Sequence, residues 1–329
     1  MPAEECAGPR SRIESDETFG RLRLPVIAAP MFLISSPELV IAAARSGIVG
    51  TFPTANCRTI PQLHEWLKHI AEATAVASNS WSPRWAVNMV VHKTNTRLQE
   101  DLAVVIEHRV PLVIASVGAP DQIVGAVHGY GGKVICDVAS LRHARRAVDA
   151  GVDGLILLTS GAGGHEGWAN PFAFVRSVRQ FYDGPLVLAG CIADGASVAA
   201  ARMLGADAAY IGTAMMVAAE SSASEARRQM MIDCTMDDIL RSNALSGMYA
   251  NFMRPSFVAA GIDPDKLRVR STAEVDLAEI QDQELRKKRW KDIWSAGQAV
   301  SMVNQVATVS EIVDRLCDEY NAAWKSCGL

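Results

Sequence analysis

Ala150-Gly151-Val152-Asp153-Gly154-Leu155-Ile156-Leu157-Leu158 is the stretch on which the reading of the fold turns. Its first four residues are nearly repeated at Leu204-Gly205-Ala206-Asp207, ahead of Ala208-Ala209-Tyr210-Ile211. Each copy reads as a helix stop followed at once by a short apolar strand, with glycine supplying the positive φ that ends the helix. Amphipathic segments precede both, at Ser140 to Ala150 and Asp194 to Leu204.

Outward from these units the same alternation covers the first two-thirds of the 329 residues. Further apolar runs lie at Leu24 to Ala29, Ile48 to Thr51, Trp85 to Met89, Leu112 to Ala115, Lys133 to Cys136 and Leu186 to Ala189. They are apolar at both alternating sets of positions, as in strands of a parallel sheet buried on two sides. Helical patterns at Ser36 to Ser46 and Arg97 to His108 fall between them. About eight β-α units suit an α/β fold closed as a single (β/α)8 TIM barrel. An open doubly wound sheet would carry a Gly-rich turn after its first strand. Here that strand runs into Ala28-Ala29-Pro30-Met31 instead.

The rhythm stops near Glu220 and returns at Asp292-Ile293-Trp294-Ser295-Ala296-Gly297-Gln298, before a closing helix from Val309 to Trp324. Residues 220–290 are therefore expected to be a mostly helical insertion, a substrate lid, with helices over Met230 to Leu240 and Asn251 to Ala260. The barrel comprises 21–219 and 291–329, and 1–20 is a polar tail.

The formal net charge of −4 gives no general reason to bind nucleic acid or anionic lipid. The longest basic run, Arg286-Lys287-Lys288-Arg289, reads as a solvated helix face. No apolar stretch is long enough for a membrane span, and none resembles a signal peptide. Seven scattered cysteines without a CxxC pair point to reduced thiols in the cytoplasm. No metal is expected, because His64 and His69 are five apart on one helix and do not share a face well.

In such barrels chemistry sits at the C-terminal ends of the strands. After the sixth run stands Gly161-Ala162-Gly163-Gly164-His165-Glu166-Gly167. Its glycines let backbone N–H groups approach a flat or anionic ligand, and a histidine there can move a proton near neutral pH. The segments Gly190-Cys191-Ile192-Ala193-Asp194-Gly195 and Gly212-Thr213 follow the seventh and eighth runs, where barrels commonly cradle a phosphate against a helix N-terminus. Ala29-Pro30-Met31, Asn88 and Asp137 end the first, third and fifth runs.

On Ala29-Pro30-Met31, Trp85 to Met89, Ala162 to Gly167, Ala189 to Gly195 and Gly205 to Thr213 the chain resembles the nitronate monooxygenase family. The segments Met230 to Asp238, Asn251 to Pro264 and Asp292 to Gln298 resemble one branch of it. The resemblance implies a TIM barrel with one non-covalent FMN. Ala29, Pro30, Met31 and Asn88 would lie beside the isoalloxazine ring. Gly163, Gly164, Gly190, Gly195, Gly212 and Thr213 would follow the ribityl-phosphate tail, and His165 would be the catalytic acid/base. Asp137 counts among the cofactor-binding positions, where some relatives carry lysine. Cys191 stands where some have a second glycine.

The implied reaction is oxidation of a small carbon acid or nitronate with O2. Two alternatives stay open: an FMN reductase or dehydrogenase using NAD(P)H on a quinone or an enoyl or keto thioester, and a flavin-free barrel binding a phosphorylated metabolite. The expected partners are small molecules, with neither nucleic acid nor membrane, and a homodimer is left open as the assembly.

Overall fold

The computed structural model describes residues 21–75, 85–268 and 291–328. The tail at 1–20, the basic run at 286–289 and the end of the insertion from residue 269 lie outside them.

Eight parallel strands form one sheet: β1 (Val26–Ala28), β2 (Gly50–Pro53), β3 (Trp85–Val90), β4 (Leu112–Ser116), β5 (Lys133–Val138), β6 (Gly154–Leu158), β8 (Leu186–Ala189) and β9 (Ala208–Ile211). Their order is β1-β9-β8-β6-β5-β4-β3-β2. A parallel bridge between Ile27 and Val49 joins the two edge strands. Ala28 N–H donates to Val49 O at 2.8 Å and Val49 N–H to Val26 O at 3.0 Å, so the sheet closes into the expected barrel.

Side chains alternate along each strand. One set, including Ile27, Val49, Ala86, Ile114, Ile135, Ile156 and Val187, fills the barrel interior. The other packs outward against the helices in the main core. The helices start where their caps dictate: the Ser36 side chain accepts from Leu39 N–H before α1 (Pro37–Arg45), and Ser140 from His143 N–H before α5 (Leu141–Asp149). Asp194 and Ser197 form a capping box on α7 (Gly195–Leu204). The glycines expected to stop helices have positive φ, Gly151 at 82° and Gly205 at 114°, and so does Arg109, at 47°, after α3 (Leu98–Glu107).

The two near-repeats perform the same task in three dimensions. The Asp153 carboxylate accepts from Val134 N–H at 2.8 Å, at the start of the neighbouring strand β5. Asp207 accepts from Leu186 N–H at 2.9 Å, at the start of β8. Each aspartate thus clasps two adjacent strands at the barrel's N-terminal end. Arg179 pairs with Asp207, and Lys133 and His128 with Asp153.

The insertion differs in detail from the helical expectation. Helix α9 (Glu225–Asp233) stops well before Leu240, and Ile239–Ser242 forms strand β10. Asn251 begins no helix, since Ala250–Met253 is strand β11, and α10 (Arg254–Ala259) follows it. Pro255 explains the boundary, because proline suits a first helical turn but disfavours helix before it. Helix still outweighs strand in the described part of the insertion. The β10–β11 hairpin has its own small core, where Leu245, Phe252, Phe257 and Ile293 are all fully buried and the two phenylalanine rings meet edge to face. Helix α11 (Val309–Ser326) packs on α7 and closes the barrel wall.

Candidate active site

One residue beyond each interior apolar position, counted along the same strand face, the barrel lining turns polar. Asn88, Ser116 and Asp137 follow Ala86, Ile114 and Ile135 at the two-residue period of β3, β4 and β5. Asn88 is buried and its amide donates to Ser116 Oγ at 2.8 Å and Ile114 O at 3.2 Å. Asp137 Oδ1 and the Tyr210 hydroxyl are buried without a hydrogen-bond partner among the described residues. Burial pushes the Asp137 carboxyl up to about 7. Burial, then the charge of Asp137, raises the Tyr210 phenol well above its ordinary value.

The glycine-rich loop leaves the end of β6 and is shaped by partners far away in sequence. Gly164 and His165 form a two-residue strand, β7, paired antiparallel with Ala250 and Asn251 of β11. The loop closes around the Glu166 carboxylate, whose side chain is 1% exposed. It accepts from Gly161 N–H at 2.6 Å, from the Asn251 amide at 2.7 Å and from the Arg241 guanidinium. Arg241 also stacks on the Tyr249 ring, 3.8 Å from its centroid. Glu166→Ala would strand two buried donors, which costs about 1–3 kcal/mol. Chemical denaturation should register that loss together with a fall in turnover; unchanged stability would show the carboxylate to be dispensable.

His165 Nε2 lies 2.9 Å from Ser246 Oγ. The serine hydroxyl donates to Met248 O at 3.1 Å, so its oxygen is left to accept. In the tautomer that carries its proton on Nε2, the ring donates to this oxygen and Nδ1 is the basic nitrogen.

The remaining positions named from sequence divide into two groups. Gly190, Cys191, Gly161 and Gln298 come together, with Cys191 Sγ 3.5 Å from Ser160 O and 3.7 Å from Gln298 Oε1. Gly190 has φ +121° and a Cβ there would strike Thr159 Oγ1. Cys191 holds φ 58°, a conformation that favours glycine. Gly163 packs so closely on Gly297 that a Cβ would lie 2.8 Å from its nitrogen. Thr213 is buried and its hydroxyl accepts from Gly297 N–H at 3.1 Å, keeping its own proton to donate. A Cβ on Gly212 would find only Ala29 Cβ at 3.6 Å and Met31 Sδ at 3.9 Å. Met31 is buried beneath the loop after β1, with Asn56 donating to its carbonyl at 3.2 Å, and Pro30 is half-buried beside it. Gly195 begins α7 against the closing helix. Its N–H donates to Glu319 at 2.8 Å, and a Cβ would strike the backbone of Leu316 and Tyr320 in α11. Glycine is needed there for helix packing.

Ser246, Asn251, Arg241 and Gln298 were not singled out as site residues in the sequence. None stands at a barrel strand end, and only the folded insertion and the returning segment bring them to the loop.

A closed barrel with a histidine in a glycine loop at the C-terminal end of a strand has the layout of a barrel enzyme. The nitronate monooxygenase family model matches residues 17–319, and the chain belongs to that family, an oxidoreductase family. A nitronate monooxygenase from Paraburkholderia phytofirmans is 27% identical over 278 residues, covering 73% of this chain and 76% of its own. The fold is shared with FabK from Thermotoga maritima, at a TM-score of 0.81, 22% identity and coverage of 98% and 99% of the two chains. It is also shared with nitroalkane oxidase from Streptomyces ansochromogenes, at a TM-score of 0.78, 22% identity and coverage of 93% and 98%.

Proposed function

We propose that the protein is an FMN-dependent, nitronate monooxygenase-type enzyme that oxidises a small carbon acid or its nitronate with O2. The observation that carries this reading is the place of His165, 2.9 Å from Ser246 Oγ on the glycine-rich loop at the end of β6.

The residues at the mouth suit FMN. Asp137 Oδ1 and the Tyr210 hydroxyl are buried polar atoms in want of a partner, as the polar edge of a flat ring could provide. A Cβ on Gly212 would stand at ordinary contact distance from Ala29 and Met31, and a Cβ on Gly164 would meet nothing within 4 Å. Gly190, Gly212 and Thr213 are the residues we assign to the phosphate, through close backbone approach and the free hydroxyl proton. Asn88, Ala29, Pro30, Met31 and Asp137 would border the ring, and Gly163 and Gly164 the tail. FMN, when bound, supplies a two-electron acceptor that O2 can reoxidise.

His165 Nδ1 takes the α-proton of a neutral substrate, and the Nε2 bond to Ser246 keeps the ring in the right tautomer as charge develops. Glu166 holds the loop in place through Gly161 and Asn251. The hairpin of the insertion, tied to His165 by β7, serves as the substrate lid. Six described cysteines are free thiols, which fits the reducing cytoplasm. Among the described residues no helix is long and apolar enough to cross a membrane.

The decisive experiment is anaerobic mixing of the purified yellow protein with an alkyl nitronate and, separately, with NADH and NADPH. Bleaching by the nitronate alone supports the proposal; bleaching by a nicotinamide alone replaces it with a reductase. In Gly212→Leu the added side chain would crowd the phosphate. An overpacking penalty of about 1–3 kcal/mol weakens FMN affinity by about 5- to 150-fold. Equilibrium titration of the apoprotein measures this, and wild-type affinity would remove Gly212 from the phosphate site.

A further inference from the structure

Outside the barrel, α2 (Ile60–Ala75) packs on α3 (Leu98–Glu107), and three side chains meet across the seam. His64 Nδ1 lies 2.9 Å from His108 Nε2. Glu107 Oε1 lies 3.9 Å from His64 Nδ1. The ligand atoms of all three fall within 4.8 Å of one another. His108 caps the C-terminus of α3, directly after Glu107, so one helix end presents both an imidazole and a carboxylate to the imidazole on α2.

We propose that His64, Glu107 and His108 form a binding site for a divalent transition-metal ion such as Zn2+, which staples α2 to α3 on the outer wall of the barrel.

The donor set carries the chemistry. Two imidazoles and one carboxylate are ordinary zinc ligands. Around a tetrahedral zinc with bonds of about 2.0–2.1 Å, neighbouring ligand atoms stand about 3.3 Å apart. The two nitrogens at 2.9 Å and the Glu107 oxygen at 3.9 Å from His64 bracket that spacing, and side-chain shifts of about one ångström, which also draw Glu107 and His108 together, complete three corners. The fourth faces solvent, since the His64 and Glu107 side chains are 36% and 69% exposed. Spacing within the sequence hides the site: His64 and His69 do not share a helix face, and the partner of His64 comes from a different helix. A metal there binds the folded chain and not the unfolded one, so occupancy adds to stability.

The test uses the flavin-loaded enzyme stripped with a chelator and titrated calorimetrically with zinc chloride, with the thermal midpoint followed in parallel. We expect one saturable equivalent and an upward shift of the midpoint. His64→Ala should abolish both. His108→Gln, which retains a hydrogen-bonding partner for His64 and guards against a folding defect, should weaken binding at least about tenfold, as should Glu107→Gln. Turnover should stay unchanged in all three, because none stands at the mouth of the barrel. Zinc bound equally well by wild type and His64→Ala would assign it to surface thiols such as Cys191 and Cys327 and overturn the proposal. A wild type that shows no saturable equivalent would overturn it as well, leaving a hydrogen bond between two imidazoles.

Discussion

Replacing His165 by asparagine should lower turnover of a neutral nitroalkane at least about a hundredfold, because general acid–base catalysis is typically worth about 10²–10⁴-fold. The protein should remain folded and retain its flavin. His165 sits half-buried on a two-residue strand and contributes to neither hydrophobic core of the barrel. Asparagine keeps a donor for Ser246 and removes the base. A preformed nitronate has already lost its α-proton, so the same variant should lose much less with it. Steady-state rates on the two substrate forms, with a thermal melt as control, measure the contrast. An equal loss on both forms would move His165 from proton removal to substrate binding, and a collapsed melt would make it structural.

Asp137→Asn should gain stability over wild type as pH rises from about 4 to about 7. The folded carboxyl titrates near 7 against an ordinary value of 3.8, because burial penalises its charge. Below the ordinary value both folded and unfolded chains carry the proton, and burial of the carboxyl costs nothing on this account. As pH climbs, the unfolded chain releases its proton while the folded one keeps it, so wild-type stability falls until pH passes the folded value. At about 1.36 kcal/mol per unit, the span amounts to about 4 kcal/mol at most. Asparagine does not titrate, so its advantage should grow through that window and then level off. Urea denaturation of the apoprotein at pH 4, 5.5, 7 and 8 tests this. Parallel pH profiles for the two proteins would mean that Asp137 ionises freely in the fold. FMN contacting this carboxyl should narrow the gap, which a second series with flavin would reveal.

The barrel was legible because its signals are local. Apolar runs such as Gly154 to Leu158 and helix stops such as Gly151 and Gly205 depend on residues within a few positions of one another, and the strands fall within two residues of where the runs place them. The glycine loop was legible for the same reason. Its framework was not. Glu166 meets Arg241 and Asn251 across 75 and 85 positions, and no pattern in the intervening sequence marks that contact. Strand β7, only two residues long, has no periodicity to detect, and β10 and β11, at four residues each, can be read as turns of helix. Gly195 carries a second constraint that the sequence does not mark: its missing side chain makes room for α11.

The Asp153 and Asp207 clasps grip the barrel at the end of its strands remote from His165. The two clasps and the loops at the mouth are therefore written in different residues. Substitutions in the hairpin or on the loops at the mouth leave both clasps untouched, whereas a loss at either aspartate affects every possible reaction alike. Such a scaffold can be recruited to a new substrate by drift on one rim, with the two clasps inherited unchanged on the other.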